Sequence, residues 1–245
     1  MRQKTEAGMK LLSESEARAF MQCTGWLSRT PEEFSSRLLQ DCKLLSFAAD
    51  QPVYDIDDPP GGIYGLVTGR VGVWIAPQER GPYLGHLMRP GHWFGLVSGA
   101  MRQARAIGLR TVRPSQLLLL PMVKLDALVS EDTKAWRYFI GLAEMNSSIA
   151  MAAVDDLLIR NPARRCAAVL LRLAGLRNPL DLTPAVGGVE VTEEELAHLS
   201  NLSRSSVGTA LRSFQRRGLA ELSYQGIFIR DAARLKAFVA EDESY

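Results

Sequence analysis

The chain has 245 residues, of which 47% are hydrophobic and 23% charged, with a formal net charge of +2. These values fit a soluble globular protein long enough for one large or two modest domains, each with its own core. The near-neutral total neither demands nor excludes nucleic acid, because a local basic face matters more than the sum. Cys23, Cys42 and Cys166 are far apart and form no CxxC pair, which argues against a metal or iron–sulfur site and against a disulfide framework. An odd cysteine count of this kind points to a reducing compartment. The N-terminus is polar and carries no signal peptide, and no run approaches the length of a transmembrane helix. A cytoplasmic protein with no membrane contact and no cofactor is expected.

Residues 1–30 are polar and mixed, and read as an N-terminal extension with a short helix around Glu14–Gln22. Thr30-Pro31-Glu32-Glu33 reads as a capping box with Pro at the first helical position, opening a helix that runs to about Asp41. From Leu44 the hydrophobic period changes from helical to alternating. Short strands follow, among them Leu66-Val67 and Val71–Ile75, separated by turn signals at 57–62, Thr68-Gly69, Gln78–Gly81 and Arg89-Pro90-Gly91. Strands spaced this way form a β-sandwich or barrel. His86 and His92 fall in or beside it. Without a His-x-His pair they are expected to be structural or surface histidines, not metal or haem ligands.

A long helix is expected from about Thr133 to Ile159. Phe139, Leu142, Asn146, Ile149, Ala153 and Asp156 alternate by fours and threes, the seam of a coiled coil. Asn146 would set the register, Asp156 fits poorly, and such a helix can instead pack on its own domain. Asn161-Pro162 stops this helix and starts the next, with Asn as cap and Pro at the first position, a natural hinge. A Leu-rich helix over Ala167–Leu176 and a loop over Leu180–Gly188 follow.

The stretch from Thr192 to Ile229 is the most informative. Thr192 and Glu195 form a capping box, and Leu196, Ala197 and Leu199 give its helix an apolar side. Asn201-Leu202 makes a turn, and Ser203 caps a second helix. Val207, Leu211 and Phe214 recur at helical spacing and face the core, which leaves Arg204, Ser205, Gly208, Thr209 and Arg212 on the outer side. A helix presenting Arg, Ser and Thr from its first turns suits the DNA major groove. Arg204, Arg212, Arg216 and Arg217 make a local basic face, although the last two also complement the end of their helix. The segment Leu222–Ile229 reads as a hairpin turning at Gly226, the wing of a winged helix-turn-helix.

Ser203-Arg204-Ser205-Ser206-Val207-Gly208-Thr209, set within Leu196, Leu199, Leu202, Leu211 and Gly218-Leu219, resembles the C-terminal domain of the Crp/Fnr family of bacterial transcription regulators. Gly61 to Val71 resembles the early strands of that family's cyclic-nucleotide-binding jelly roll, which likewise precedes the winged helix. The resemblance covers roughly Thr30 to Phe228 and departs from the pattern at two recognition positions. Ser205 stands where the family usually has Glu, and Thr209 where it usually has Arg. The resemblance implies an α+β chain: an extension over 1–30, a jelly-roll (double-stranded β-helix) sensor over 31–132, a dimerisation helix over 133–160, and a winged helix-turn-helix over 161–245. It implies a homodimer paired through Phe139, Leu142, Asn146, Ile149 and Ala153, bound to a roughly palindromic stretch of double-stranded DNA. Arg204 would read a base, Ser203 and Ser206 would hold phosphate or the helix start, and Ser205, Thr209 and Arg212 would complete the face. RNA polymerase is a candidate partner.

The family's phosphate-binding cassette would fall on Gly91 to Leu96 and on Arg105-Ala106. Gly91, Gly95 and Arg105 match it, with Arg102 as a rival for the arginine. Leu96 replaces the ribose-binding Glu, Ala106 replaces a hydroxyl residue, and Ala150-Met151 replaces the adenine-contacting Thr-Ser pair. Each unpaired ligand group costs about 1–3 kcal/mol, so cyclic AMP is not expected as the effector, and any effector is unknown. The rival reading is a metal-dependent jelly-roll enzyme with an appended interaction module.

Overall fold

The computed structural model describes residues 11–76, 81–177, 188–223 and 226–241. The expected turn at Gln78–Arg80, most of the loop at Leu180–Gly188 and the wing residues Tyr224-Gln225 lie outside them. The chain divides into two compact units, Met1–Gly72 with Met88–Leu142, and Val73–Leu87 with Ala143–Tyr245.

The first unit begins with α1 (Glu14–Gln22), whose N-cap Ser13 forms a capping box with Glu16. Helix α2 (Glu32–Gln40) starts from Pro31 without any side-chain cap. The box expected at Thr30 does not form, because the Thr30 hydroxyl donates instead to the Leu27 carbonyl at 2.7 Å. Strands β1 (Lys43–Phe47), β2 (Pro52–Tyr54), β3 (Gly62–Ile75), β4 (Tyr83–Met88), β5 (Trp93–Phe94) and β6 (Gly108–Pro121) make one sheet in the order β1-β6-β3-β4. The two 14-residue strands β3 and β6 organise it. β6 pairs antiparallel with β1 near one end and with β2 near the other, while β5 pairs with β3 at Tyr64 and Gly65. The turn expected at Thr68-Gly69 does not form: both residues lie inside β3, where Gly69 takes φ 86° and a Cβ would meet the Pro114 carbonyl oxygen at 2.2 Å, so only glycine fits.

Helix α3 (Leu96–Met101) follows β5, and α4 (Met122–Glu131) follows β6. The long helix α5 (Ala135–Leu158) contributes its first turns to the same core. Phe139 lies against Trp26, Phe34 and Trp136 at ring separations of 5.6–6.0 Å. The row of α5 expected to pair two chains is in good part buried inside the single chain. Phe139, Leu142 and Ile149 are buried within the single chain, with Asn146 and Ala153 half-buried, so that row is spent on the chain's own packing. The apolar row left open is Ile140, Met151, Val154 and Leu158.

In the second unit Asn161 caps α6 (Pro162–Leu173), accepting from the Ala163 and Arg164 amides. A buried polar knot lies beside this hinge. The Asp156 carboxylate accepts from Arg172 at 2.7 Å and pairs with Arg177 at 2.6 Å, and Arg172 donates to His86 Nδ1 at 2.7 Å. Burial pushes the Asp156 carboxyl above the ordinary aspartate range, and the two guanidiniums pull it back. Asp156 is thus a buried partner of two arginines, which explains its poor fit to a dimer seam.

Helices α7 (Glu193–Ser200) and α8 (Arg204–Arg216), strands β7 (Ala220–Ser223) and β8 (Gly226–Ile229), and α9 (Ala232–Ala240) complete the unit. Gly226 is not the turn of the hairpin but the first residue of its returning strand, paired with Ser223. A Cβ at Gly226 would meet the Val189 carbonyl oxygen at 2.4 Å, so glycine lets Val189 bridge to Ile227 beside it.

Candidate nucleic-acid interface and sensor cassette

The helix-turn-helix is built by local chemistry. Thr192 and Glu195 form the reciprocal box: the Glu195 carboxylate accepts from the Thr192 amide at 2.7 Å, and the Thr192 hydroxyl accepts from the Glu195 amide at 3.1 Å. Asn201 adopts the left-handed conformation (φ 50°), a state asparagine tolerates better than most residues, and this ends α7 within one residue. Ser203 then caps α8 by accepting from the Ser206 amide. Leu196, Leu199, Val207, Leu211 and Phe214 are buried and hold the two helices together.

The outer face of α8 carries Arg204, Ser205, Thr209 and Arg212, all exposed. Ser206 is half-buried, and its hydroxyl bonds to that of Ser203 at 2.8 Å, so these two serines hold the helix start. Thr209 donates its hydroxyl to the Ser205 carbonyl at 2.9 Å and accepts from Arg212 at 3.1 Å, which steadies the guanidinium. Thr209, Arg212, Gln215 and Arg216 line a shallow groove. Gly208, expected on this outer face, is buried, because a glutamate and an arginine side chain close over it. Arg217 is drawn away, stacked over the Phe238 ring at 4.6 Å. Of the run Glu193-Glu194-Glu195, the capping pattern singles out only Glu195. Yet the Glu194 carboxylate stands 3.7 Å from Arg204. An acidic run ten residues before the first recognition arginine was the available signal.

The cassette positions lie in two places. Gly91 (φ 92°) and Gly95 (φ 89°) flank β5, and Gly95 caps α3. Leu96 is buried and offers no polar atom, while Ala106 is exposed. Arg105 is 1% exposed and donates to the Gly95 and Gly62 carbonyls, each at 2.7 Å, with its guanidinium 4.2 Å above the Tyr54 ring. Among the described residues no carboxylate pairs with it. It is neither a surface arginine nor an ion-pair partner but a clamp on two loops. Burial pushes the Tyr54 and Tyr64 hydroxyls beside it upward, so both stay neutral. The rival Arg102 is exposed and pairs with Asp126 at 2.5 Å. Met151 belongs to the second unit and is 64% exposed.

His92 is buried with Nδ1 3.4 Å from Met88 Sδ, and His86 is bound into the knot beside Asp156. Among the described residues no three His, Cys, Asp or Glu side chains gather as a metal site, and no helix is long and apolar enough to cross a membrane. Burial pushes the Cys42 and Cys166 thiols up to about 12, whereas Cys23 is exposed.

Residues 44–132 match the cyclic nucleotide-binding domain family, and residues 164–238 match the Crp-like helix-turn-helix domain family. No curated protein matches the sequence significantly. The fold is similar to that of FixK2 from Bradyrhizobium japonicum, with TM-score 0.70 and 20% identity over 82% of this chain and 98% of that one. It is also similar to CLP, a c-di-GMP responsive global regulator of Xanthomonas campestris, with TM-score 0.60 and 20% identity over 82% of this chain and 100% of that one. A mutant of CooA from Carboxydothermus hydrogenoformans aligns with TM-score 0.63 and 17% identity over 89% and 96% of the two chains. These likenesses carry the fold, and the two family matches carry the rest; neither supports a jelly-roll enzyme. With a β-rich nucleotide-domain fold placed before a capped helix-turn-helix and its wing, the chain belongs to the Crp/Fnr family of DNA-binding transcription regulators.

Proposed function

We propose that this regulator works in the cytoplasm as a homodimer on a roughly palindromic operator, each α8 entering one major groove. The observation that carries the reading is the outer face of α8, where Arg204, Ser205, Thr209 and Arg212 stand exposed on a helix anchored by Ser203 and Ser206. Arg204 reads a guanine with its planar fork, and Arg212, held by Thr209, contacts the backbone. Two chains pair through the open row of α5, Ile140, Met151, Val154 and Leu158, whose apolar surface needs a cover. The nucleotide-type domain covers residues 31–132, α5 forms the joint over 133–160, and residues 161–245 read DNA, with RNA polymerase as the partner once bound.

The sensor is degenerate toward cyclic AMP. Arg105 spends its donors on two carbonyls, Leu96 cannot hold a ribose hydroxyl, and Met151 cannot replace a hydroxyl on a base. An effector of different chemistry, or none, controls the dimer. The test is fluorescence anisotropy of the protein on its own upstream DNA at one fixed salt concentration, with and without cyclic AMP. Selective binding that ignores the nucleotide is expected. Binding that appears only with cyclic AMP would overturn the reading of Arg105, Leu96 and Met151.

A further inference from the structure

Glu193 and Glu194 open α7, and the fold needs neither. Glu195 alone completes the capping box with Thr192. An acidic first turn also complements the helix dipole, but exposed charges do this weakly, and one would serve. What marks the pair is its surroundings. The Glu194 carboxylate is 3.7 Å from the Arg204 guanidinium, with the side chains 62% and 70% exposed. The Glu193 carboxylate and the Arg212 guanidinium come within 3.5 and 3.2 Å of the point where a Cβ on Gly208 would stand. Of the exposed arginines of α8, Arg204 therefore has a glutamate of α7 at hand, and Arg212 shares the surface over Gly208 with another. Pairs this exposed add little to folding. Their effect falls on a third charge that enters the same space, the DNA phosphate, at a helix N-terminus that would otherwise welcome anions.

We infer that Glu193 and Glu194 are positioning residues that set DNA specificity. Glu194 tethers Arg204 over the groove face and withholds it from backbone phosphates, and Glu193 weakens the sequence-independent pull of Arg212 on them. The inference rests on α8 being the recognition helix. On an arbitrary duplex the best partners for these arginines are phosphates, and attraction to phosphates is independent of sequence. There the carboxylates compete with the phosphates for the arginines. On the right sequence a guanine edge takes the guanidinium in a bidentate pair that outcompetes a 3.7 Å surface contact. Discrimination is the difference between two affinities, so weakening the wrong complex more than the right one widens it.

The test compares the full-length protein with the double variant Glu193→Gln and Glu194→Gln, which keeps side-chain size and removes charge. Anisotropy is measured over a salt series on a duplex selected by the wild-type protein from a random pool, and on a scrambled duplex of the same composition. The scrambled duplex should bind on the order of tenfold tighter with a steeper salt dependence, and the selected duplex should change less than about threefold. Glu131→Gln, which removes a carboxylate paired with exposed Arg37 in the first unit, should move neither. If both duplexes tighten by the same factor, or neither tightens, the inference is wrong. A wild-type protein that selects no sequence at all would bring down the recognition-helix reading itself, and the inference with it.

Discussion

Arg204 shows how much one residue's role depends on its neighbours. It is exposed and sits on the first turn of α8, where a helix docked in the major groove touches base edges. Replacing it with Ala should cost about 1–3 kcal/mol of binding to the selected operator and relax preference at one base pair. Binding to every sequence with unchanged affinity would remove Arg204 from base reading. Arg105 makes the opposite point. Its type and spacing matched a phosphate ligand, yet its guanidinium is buried on the Gly95 and Gly62 carbonyls. No sequence pattern distinguishes an arginine aimed at a ligand from one folded back on its own loops, because both need the same planar fork.

At the scale of elements, the alternation of fours and threes that picks out Phe139, Leu142 and Ile149 on the long helix α5 also links Ile140 to Met151, Val154 and Leu158, through the polar Glu144 and Ser147. The row through Phe139, Leu142 and Ile149 packs inward, and the row through Ile140, Met151, Val154 and Leu158 stays open. The two rows make different predictions. Phe139→Ala should lower folding stability by about 3–5 kcal/mol, because it empties a site between Trp26 and Phe34. The pair Met151→Glu and Val154→Glu should leave the thermal unfolding midpoint of the isolated chain nearly unchanged and shift the protein to monomer in size-exclusion light scattering. A dimer that survives both glutamates would rule out pairing through this row. The helix ends were legible because caps are local: Thr192 with Glu195, Ser203 with Ser206, and Asn161 before Pro162 all form as written. The box at Thr30 was not, because its hydroxyl had a nearer carbonyl on the preceding turn.

At the scale of the whole molecule, the proposed two-fold dimer would tie operator geometry to protein symmetry. Half-sites should lie about one helical turn, or 34 Å, apart. Inserting five base pairs at the operator centre turns one half-site to the opposite side of the duplex. Affinity should then fall on the order of a hundredfold, as one of the two recognition helices disengages. A gel-shift titration that gives the same Kd for both spacings would argue for binding as a monomer. By itself the sequence determined the order of domains, the capped helix-turn-helix and its inward row Val207, Leu211 and Phe214, because caps and hydrophobic periods act over a few residues. Only the tertiary structure decided which side of α5 stays open, that Arg105 is a buried clamp, that Asp156 belongs to a polar knot with Arg172 and His86, and that Glu194 stands beside Arg204. Each of these depends on which distant side chain arrives to compete for a hydrogen bond, a charge or an apolar surface, and spacing along the chain does not record that.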